Sequence, residues 1–453
     1  MKPDWRFAAL AGVTGGLALA PVAQADPSAR ALGALPIAVI GLAALRPARS
    51  NGAAPVAWLT IIALVAVLAG LLFGGGRLHA IDSGAVRARP GTQAEIEGFV
   101  VGVPRRNGDE VAVRVDSPGG RVLLVAPEPV EDLTVGSEVG AAGLLAEPEP
   151  WREGYLRREG IAMMLRTERI DPRPGRRSGF AGWIDGIRSR AEIALGRGMP
   201  EGEAALARGF VLGQDDRIDR GTREDFQRSS LTHLLAVSGE NVILLCVLAW
   251  PLLAVLGLTL RARLIGALCL IAIYVPVTGA GPSIQRAGVM GAAGLVAALA
   301  DRPRSRWYAV LLAAAITLGV NPRADGDVGW QLSFAAVIGI MLWSRRIAGL
   351  ISAGSSRASA RRALAEAVAV TMAATVATAP LMAGAFDQFS PAALPANVLA
   401  APAVAPAMWL GMLTGIVGSS RGSRSSLSTG STPSASPTSP KSPTGWPPRT
   451  GRC

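Results

Sequence analysis

Histidine and lysine are almost missing from this chain: its 453 residues hold histidine only at His79 and His233, and lysine only at Lys2 and Lys441. Two histidines cannot furnish a His-rich catalytic metal centre. The three cysteines, Cys246, Cys269 and Cys453, stand far apart, and the first two lie inside apolar runs where cysteine acts as a small hydrophobe. Neither a disulfide framework nor a cysteine-based zinc site can be assembled from them. The sequence has no Gly-rich loop ending in Lys-Ser or Lys-Thr, which excludes a Walker-type nucleotide motor in this chain, and no His-x-His-x-Asp-His metal motif. Aromatic residues make up 5%, so composition alone does not call for a surface built to stack bases.

Long apolar runs are abundant instead. Half of the residues are hydrophobic and the mean hydropathy is +0.36, which excludes an ordinary soluble globular protein. Several runs match or exceed the roughly 18 residues of a membrane helix. Ten spans are expected: Phe7 to Ala23, Ala31 to Leu45, Ala54 to Phe73, Leu231 to Leu260, Leu264 to Thr278, Ile284 to Ala300, Trp307 to Val320, Val328 to Trp343, Ala363 to Gly384 and Ala393 to Val417. The first has a basic lead and an Ala-Gln-Ala at 23 to 25, as a secretory signal would, but the two apolar runs that follow favour a retained span. Basic residues in short loops mark the cytoplasmic side. Lys2 and Arg6, Arg46 and Arg49, Arg261 and Arg263, Arg302 to Arg306, and Arg345 to Arg362 all agree with one topology, which puts 74 to 229 outside.

That outer interval begins with alternating segments of strand type: Ala94 to Val103, Glu110 to Asp116, Arg121 to Val125, Glu138 to Leu145 and Tyr155 to Leu165. Turn clusters such as Asn107-Gly108 and Pro118-Gly119-Gly120 separate them. A small barrel of OB type fits, and a small sandwich fits nearly as well. From Gly179 to Arg228 the pattern becomes helical and amphipathic, as expected of helices lying at the interface or capping a bundle. The fold class is therefore mainly α, a polytopic membrane helix bundle with an inserted β-barrel. Its parts are 1–76 (N-terminal membrane helices), 77–175 (β domain), 176–229 (interface helices), 230–417 (transmembrane domain) and 418–453 (tail). The tail is rich in Ser, Thr, Pro and Gly, cannot bury a core and is expected to be disordered. It carries five basic and no acidic residues, which leaves +7 of the net +12 for the rest. Its abrupt start is what an out-of-frame reading of GC-rich DNA produces.

Polar residues inside apolar segments are functional candidates, because the bilayer makes them costly. Leu231 to Leu245 places His233, Ser238, Glu240 and Asn241 at the mouth of an apolar helix, and if that helix is continuous His233 and Glu240 share a face. Anchoring of a helix end and a Ser238 hydroxyl bonded back to its own helix account for these residues equally well. Gly279 to Met290 adds Ser283, Gln285 and Arg286, the last of which could simply snorkel. Asn321 to Phe334 adds Asp325, Asp327 and Gln331, otherwise a solvated turn. Pro391, Pro395, Asn397 and Pro402 read as helix breakers.

These stretches resemble the competence domain of the ComEC family of DNA-uptake channels. The segment His233 to Gly239 matches the family's His-Leu-Leu-Ala-(Ile/Val)-Ser-Gly, Ser283 to Ala287 its Ser-x-x-Arg-Ala, and Gln331 to Phe334 its Gln-Leu-Ser-Phe after an Asn-Pro turn. The resemblance runs from Gln93 to Val417 and takes in Leu206 to Arg228. Glu240-Asn241 stands where the family often has Leu-His, so no role of that second histidine carries over. The metallo-β-lactamase-like domain of many members is not seen either. The resemblance implies single-stranded DNA, the lipid bilayer and other competence-machinery proteins as partners, self-association being left open, with no cofactor, no catalytic residue and no metal. A DNA path would run past the ten polar residues named above, with Arg105, Arg106, Arg114 and Arg121 binding DNA in the outer domain beside Arg152, Arg157 and Arg158. Phe99, Trp151 and Tyr155 would serve as stacking platforms. Residue chemistry alone also admits a transporter of another anionic solute, a membrane-embedded hydrolase using His233, Ser238 and Glu240, or a non-functional fragment of the channel.

Overall fold

A computed structural model describes residues 5–25, 53–84, 86, 89–107, 109–128, 130, 133–229, 231–235, 239–301, 305–352, 359–386 and 393–425. The expected span Ala31 to Leu45, residues Gly108 and Ser238, the loop basics Arg46, Arg49, Arg302, Arg304 and Arg357, and the tail from 426 lie outside the described residues.

The chain enters through two long helices, α1 (Trp5–Ala25) and α2 (Ala53–Ser83). They cross at glycines. A methyl group on Gly12 would stand 2.6 Å from the Ala63 carbonyl oxygen, and one on Gly16 would stand 2.8 Å from the Leu71 amide. Gly70 and Gly74 answer from α2 against Val13 and Ala20. Lipid gives no hydrophobic reward for bringing helices together, so such close backbone approach is what holds the pair. The helix α2 runs straight through Gly74-Gly75-Gly76 to Ser83, so the first membrane unit has no break at residue 76.

The β region then forms seven strands: β1 (Gln93–Val100), β2 (Arg105–Asn107), β3 (Glu110–Ser117), β4 (Gly120–Pro127), β5 (Ser137–Ala146), β6 (Met164–Thr167) and β7 (Asp171–Arg176). Five of them close a ring in the order β1, β3, β4, β6, β5 and back to β1, with β4 and β6 parallel and the other pairs antiparallel. This is a mixed five-stranded barrel of OB type, and closure removes the ring's exposed edges. Val100, Val113, Val122, Leu124, Val139 and Leu165 fill it and are 0% exposed. The strand β4 is buried on both faces, because Leu123 and Val125 pack outward under Leu156, Ile161 and Met164.

Two expectations need correcting here. Tyr155 to Leu165 is not one strand: α3 (Pro150–Arg158) occupies its first part and only β6 is extended. Pro150 sits in the first turn, where its missing N–H costs nothing, and Gly160 leaves the helix at φ +74. Ala94 to Val103 likewise ends at Val100, and β2 starts after Pro104, which has no N–H to donate. The strand β7 went unforeseen because its sequence, DPRPGR, holds two prolines; it pairs along β5 with an irregularity between Ser137 and Glu138, off the closed ring, where proline is tolerated.

The helices α4 (Gly179–Gly196), α5 (Glu201–Leu212), α6 (Arg220–Arg228) and the single turn α7 (Thr232–Leu235) connect barrel to bundle. The bundle itself comprises α8 (Gly239–Val255), α9 (Leu260–Val277), α10 (Pro282–Leu299), α11 (Arg306–Val320), a 3-10 turn (Pro322–Gly326), α12 (Val328–Ser352), α13 (Ser359–Phe386) and α14 (Ala393–Ser425). Ile184 and Leu195 of α4 and Leu212 of α5 join Val242, Ile271, Ile284, Met408 and Met412 in one core, so these two helices cap the bundle. The final helix continues past Gly418 to Ser425 instead of stopping at its apolar run.

Among the described residues, five helical stretches are long and apolar enough to cross a membrane: Trp5–Gln24, Trp58–Ser83, Leu260–Val277, Val328–Ile351 and Ala365–Ala385. Four shorter apolar helices, Gly239–Val255, Ser283–Leu299, Arg306–Val320 and Ala403–Gly418, stand at other expected spans. Gly16→Leu should therefore destabilise the α1–α2 pair by about 1–3 kcal/mol through overpacking. Gly15→Leu should do nothing, since a methyl there meets no atom within 4 Å. Thermal unfolding of the two variants in detergent would separate them, and equal melting temperatures would refute the crossing as described.

Candidate functional site

Three of the motif stretches meet around Arg286. The Ser283 hydroxyl donates to Ser333 Oγ at 3.1 Å, joining the starts of α10 and α12. The Arg286 guanidinium lies 5.8 Å over the Phe334 ring, and Phe334 packs at 4.2 Å between ring centroids on Trp330, whose indole N–H donates to Thr317 Oγ1 at 3.0 Å. A methyl on Gly239 would stand 3.3 Å from Arg286 Nη2 and 3.1 Å from Ala287 Cβ. The glycine thus lets the first motif close over the arginine. Arg286 is buried, and its Nε has no hydrogen-bond partner among the described residues.

The remaining residues of these stretches divide. Gln285 donates to the Ala280 carbonyl at 2.6 Å, bracing the turn Thr278 to Gly281, in which Gly279 and Ala280 both take positive φ (+88 and +50). Asp327 accepts from the Trp330 amide at 2.9 Å and so caps α12. Gln331 donates to the Asp325 carbonyl at 2.7 Å, and the Asp325 carboxylate accepts from Gly326 N at 2.9 Å. Asn241 turns the other way, donating to the Phe210 carbonyl at 2.9 Å beside Tyr274, whose hydroxyl reaches the Val211 carbonyl at 2.8 Å. That geometry ties α8 and α9 to the end of α5. Glu240 is exposed in the first turn of α8. His233 stands in α7, and its side chain lies outside the described residues.

A cavity of about 620 Å³ opens between these helix ends and the barrel. Gln285, Asp327, Trp330 and the turn Thr278 to Gly281 form one wall; Arg105, Arg114, Arg121 and Arg158 come from the barrel side; Arg188 comes from α4. Six arginines face four carboxylates around it. A second cavity of about 750 Å³ runs along the outer face of β3 and β4 past Trp151, Tyr155 and Arg223, and shares Arg105, Arg114, Tyr155, Asp215 and Asp216 with the first. The two spaces therefore adjoin. Trp151 is 73% exposed and carries the Arg152 guanidinium 4.9 Å over its ring. Arg106 pairs with Glu128 at 3.0 Å, Arg114 with Glu159 at 3.0 Å and Arg157 with Glu153 at 3.5 Å, while Arg121 donates to the Glu159 carbonyl at 3.1 Å. Phe99 is half-buried on β1.

Sequence reasoning passed over Arg188, Arg223 and Arg323. Arg188 follows Ile184 by four residues on the buried face of α4, and a charge on an apolar stripe is the signal that could have singled it out. Burial lowers its pKa from the ordinary arginine value, opposed by the charges of Glu192, Asp185 and Asp216. Arg323 gives no such signal, because its partner Asp82 is distant in sequence.

Fold and site together define a multi-pass membrane protein that carries an OB-type barrel over the polar end of its helix bundle. Residues 210–430 match the family model described as Competence protein. The chain is 30% identical over 147 residues to ComE operon protein 3 of Bacillus subtilis (strain 168), covering 32% of this chain and 19% of that protein. It is 28% identical over 324 residues to Competence protein ComA of Neisseria gonorrhoeae, covering 66% of this chain and 46% of that protein. Over residues 210–430, just under half of its length, the chain is similar to the competence protein family. It spans less than half the length of these two curated relatives.

Asp216, at the junction of the two cavities, supplies a pH test. Burial, reinforced by Asp215 and Glu192, raises its pKa, while its own backbone contact and Arg217 oppose the rise. A carboxyl raised in the folded state favours folding below the ordinary carboxylate pKa of about 4, and that contribution is lost as pH rises through the folded value. Asp216→Asn should therefore raise the melting temperature at neutral pH, with the gain fading below about pH 4. A gain that stayed constant with pH would refute this assignment.

Proposed function

We propose that this protein is a cytoplasmic-membrane component of a channel that takes up single-stranded DNA during transformation, with the barrel capturing the strand and the bundle passing it inward. The observation that carries this reading is the continuity of the arginine-lined groove on β3 and β4 with the cavity at the helix ends. The second and third strands of an OB ring, with the loops flanking them, are the surface on which such barrels hold oligonucleotides. Here that surface offers Ala112, Arg114 and Leu123, with Val103 to Arg106 on one side and Trp151 to Leu156 on the other. A polyanion needs positive or hydrogen-bonding walls, and an exposed tryptophan gives any base a stacking face. The match to the competence family model and the relative named for competence support the same substrate. The bilayer and other proteins of the uptake machinery complete the set of partners.

Within this reading Arg286 is the phosphate contact of the inner path, being permanently charged and able to grip two oxygens. His233, Ser238 and the acids shape or gate the entrance. In cells whose transformation depends on this protein, Arg286→Ala should abolish uptake at unchanged protein level, whereas Arg449→Ala should have no effect. Normal uptake by the Arg286 variant would reject that role. With the purified protein, Trp151→Ala should weaken oligo(dT) binding by roughly 5- to 100-fold, the worth of one stacked base. Arg105→Ala should reduce the slope of log affinity against log salt by about 0.7. Unchanged affinity and slope would remove the groove from the path.

A further inference from the structure

We infer that a phosphate subsite lies between Arg188 of α4 and the N-terminus of α10, and that it holds one phosphodiester of the strand at the threshold of the bundle. The assignment rests on the DNA-uptake reading for its ligand, and on the following geometry for its place.

Arg188 is 7% exposed, and its Nε has no hydrogen-bond partner among the described residues. A buried guanidinium donor left unmade is costly, which points to a group that completes it. Its Nη1 lies 3.3 Å from where a side chain on Gly279 would begin, so it reaches the turn that leads into α10. Glu192, Asp185 and Asp216 act on its charge. Glu192 accepts from Gln214 at 3.3 Å and pairs with Arg217 at 3.9 Å; Asp185 stands 3.9 Å from Arg177, and its Oδ2, like Arg188 Nε, makes no hydrogen bond among the described residues.

Across the same cavity, α10 begins at Gly281 without a side-chain cap. Its first helical residue, Pro282, has no N–H, and the Gln285 amide is already bonded to the Gly281 carbonyl at 3.0 Å. The first-turn amides of Ser283 and Ile284 are the ones a capping oxygen would take. An uncapped helix start attracts an anion through its amides and its dipole. A charged fork on one side and an open helix start on the other suit a tetrahedral anion with oxygens to share.

Gly281 supplies a variant that does not disturb the buried arginine. Its backbone (φ −60, ψ 160) suits any residue, and a methyl there meets nothing within 4 Å. Gly281→Asp would place a carboxylate where the phosphate belongs, capping α10 from within. The experiment measures binding of labelled oligo(dT) and of inorganic phosphate to the full chain in zwitterionic detergent, for wild type, Arg188→Gln and Gly281→Asp, with melting temperatures alongside.

The expected result is a loss of oligo(dT) affinity of about tenfold or more in both variants. The melting temperature of Gly281→Asp should be unchanged or raised, and inorganic phosphate should compete in the wild type only. Full oligo(dT) affinity in Gly281→Asp would overturn the subsite while leaving the uptake reading intact. If Arg188→Gln fails to fold, Gly281→Asp alone decides. Phosphate binding that both variants abolish, in a protein that binds no oligo(dT), would overturn the phosphodiester assignment together with the uptake reading.

Discussion

The pairing of Arg323 with Asp82 locks the bundle to the end of α2, the helix that leads into the barrel. Arg323 Nη1 and Nη2 reach the two Asp82 oxygens at 2.8 and 2.9 Å, a bidentate fork on a half-buried carboxylate. The same Nη1 touches the Arg157 carbonyl at 3.4 Å, and neighbouring Asn321 donates to the Arg158 carbonyl at 2.8 Å. One short 3-10 turn thereby fastens the end of α2 and the end of α3 to the end of α11 and the start of α12. Everything described at the junction, from the six arginines to the uncapped α10, depends on these pieces keeping their distances.

The bilayer imposes a second constraint, on where polar chemistry can sit. Lipid satisfies no backbone group, so broken helices and strained turns collect where protein or water can take their hydrogen bonds. The turn Thr278 to Gly281, with two consecutive left-handed residues, and the turn after Asn321 are both of this kind. Both lie at the barrel end of the bundle, where Gln285 and Gln331 bond to their carbonyls.

Much of this was legible in the sequence, and the reasons differ by element. Val111, Val113 and Val115 recur at every second residue among Glu110, Ala112, Arg114 and Asp116, so β3 could be read from its period, while β7 could not, because two prolines hide an edge strand. The bundle helices announced themselves by length and apolarity. Arg286 was visible as a charge where lipid forbids one, yet its stacking on Phe334 and its closure under Gly239 join residues nearly a hundred positions apart. Arg188 and Arg323 acquire their meaning only from partners that no local spacing reveals. Asn241 had the right chemistry for a path but is spent on holding α5.

The unbroken course of α2 from the membrane core to Ser83 makes the barrel's mounting a mast and not a hinge. From Phe73 to Ser83 the helix rises about 15 Å at 1.5 Å per residue. The Arg121 amide then bonds to the Gly84 carbonyl at 3.2 Å, directly beyond the masthead. A barrel carried in this way stands at a set height and a set azimuth above its bundle. On the proposed uptake reading, a polymer lying in its groove would face one particular gap between helix ends, so reception and entry would be successive stations on a fixed track.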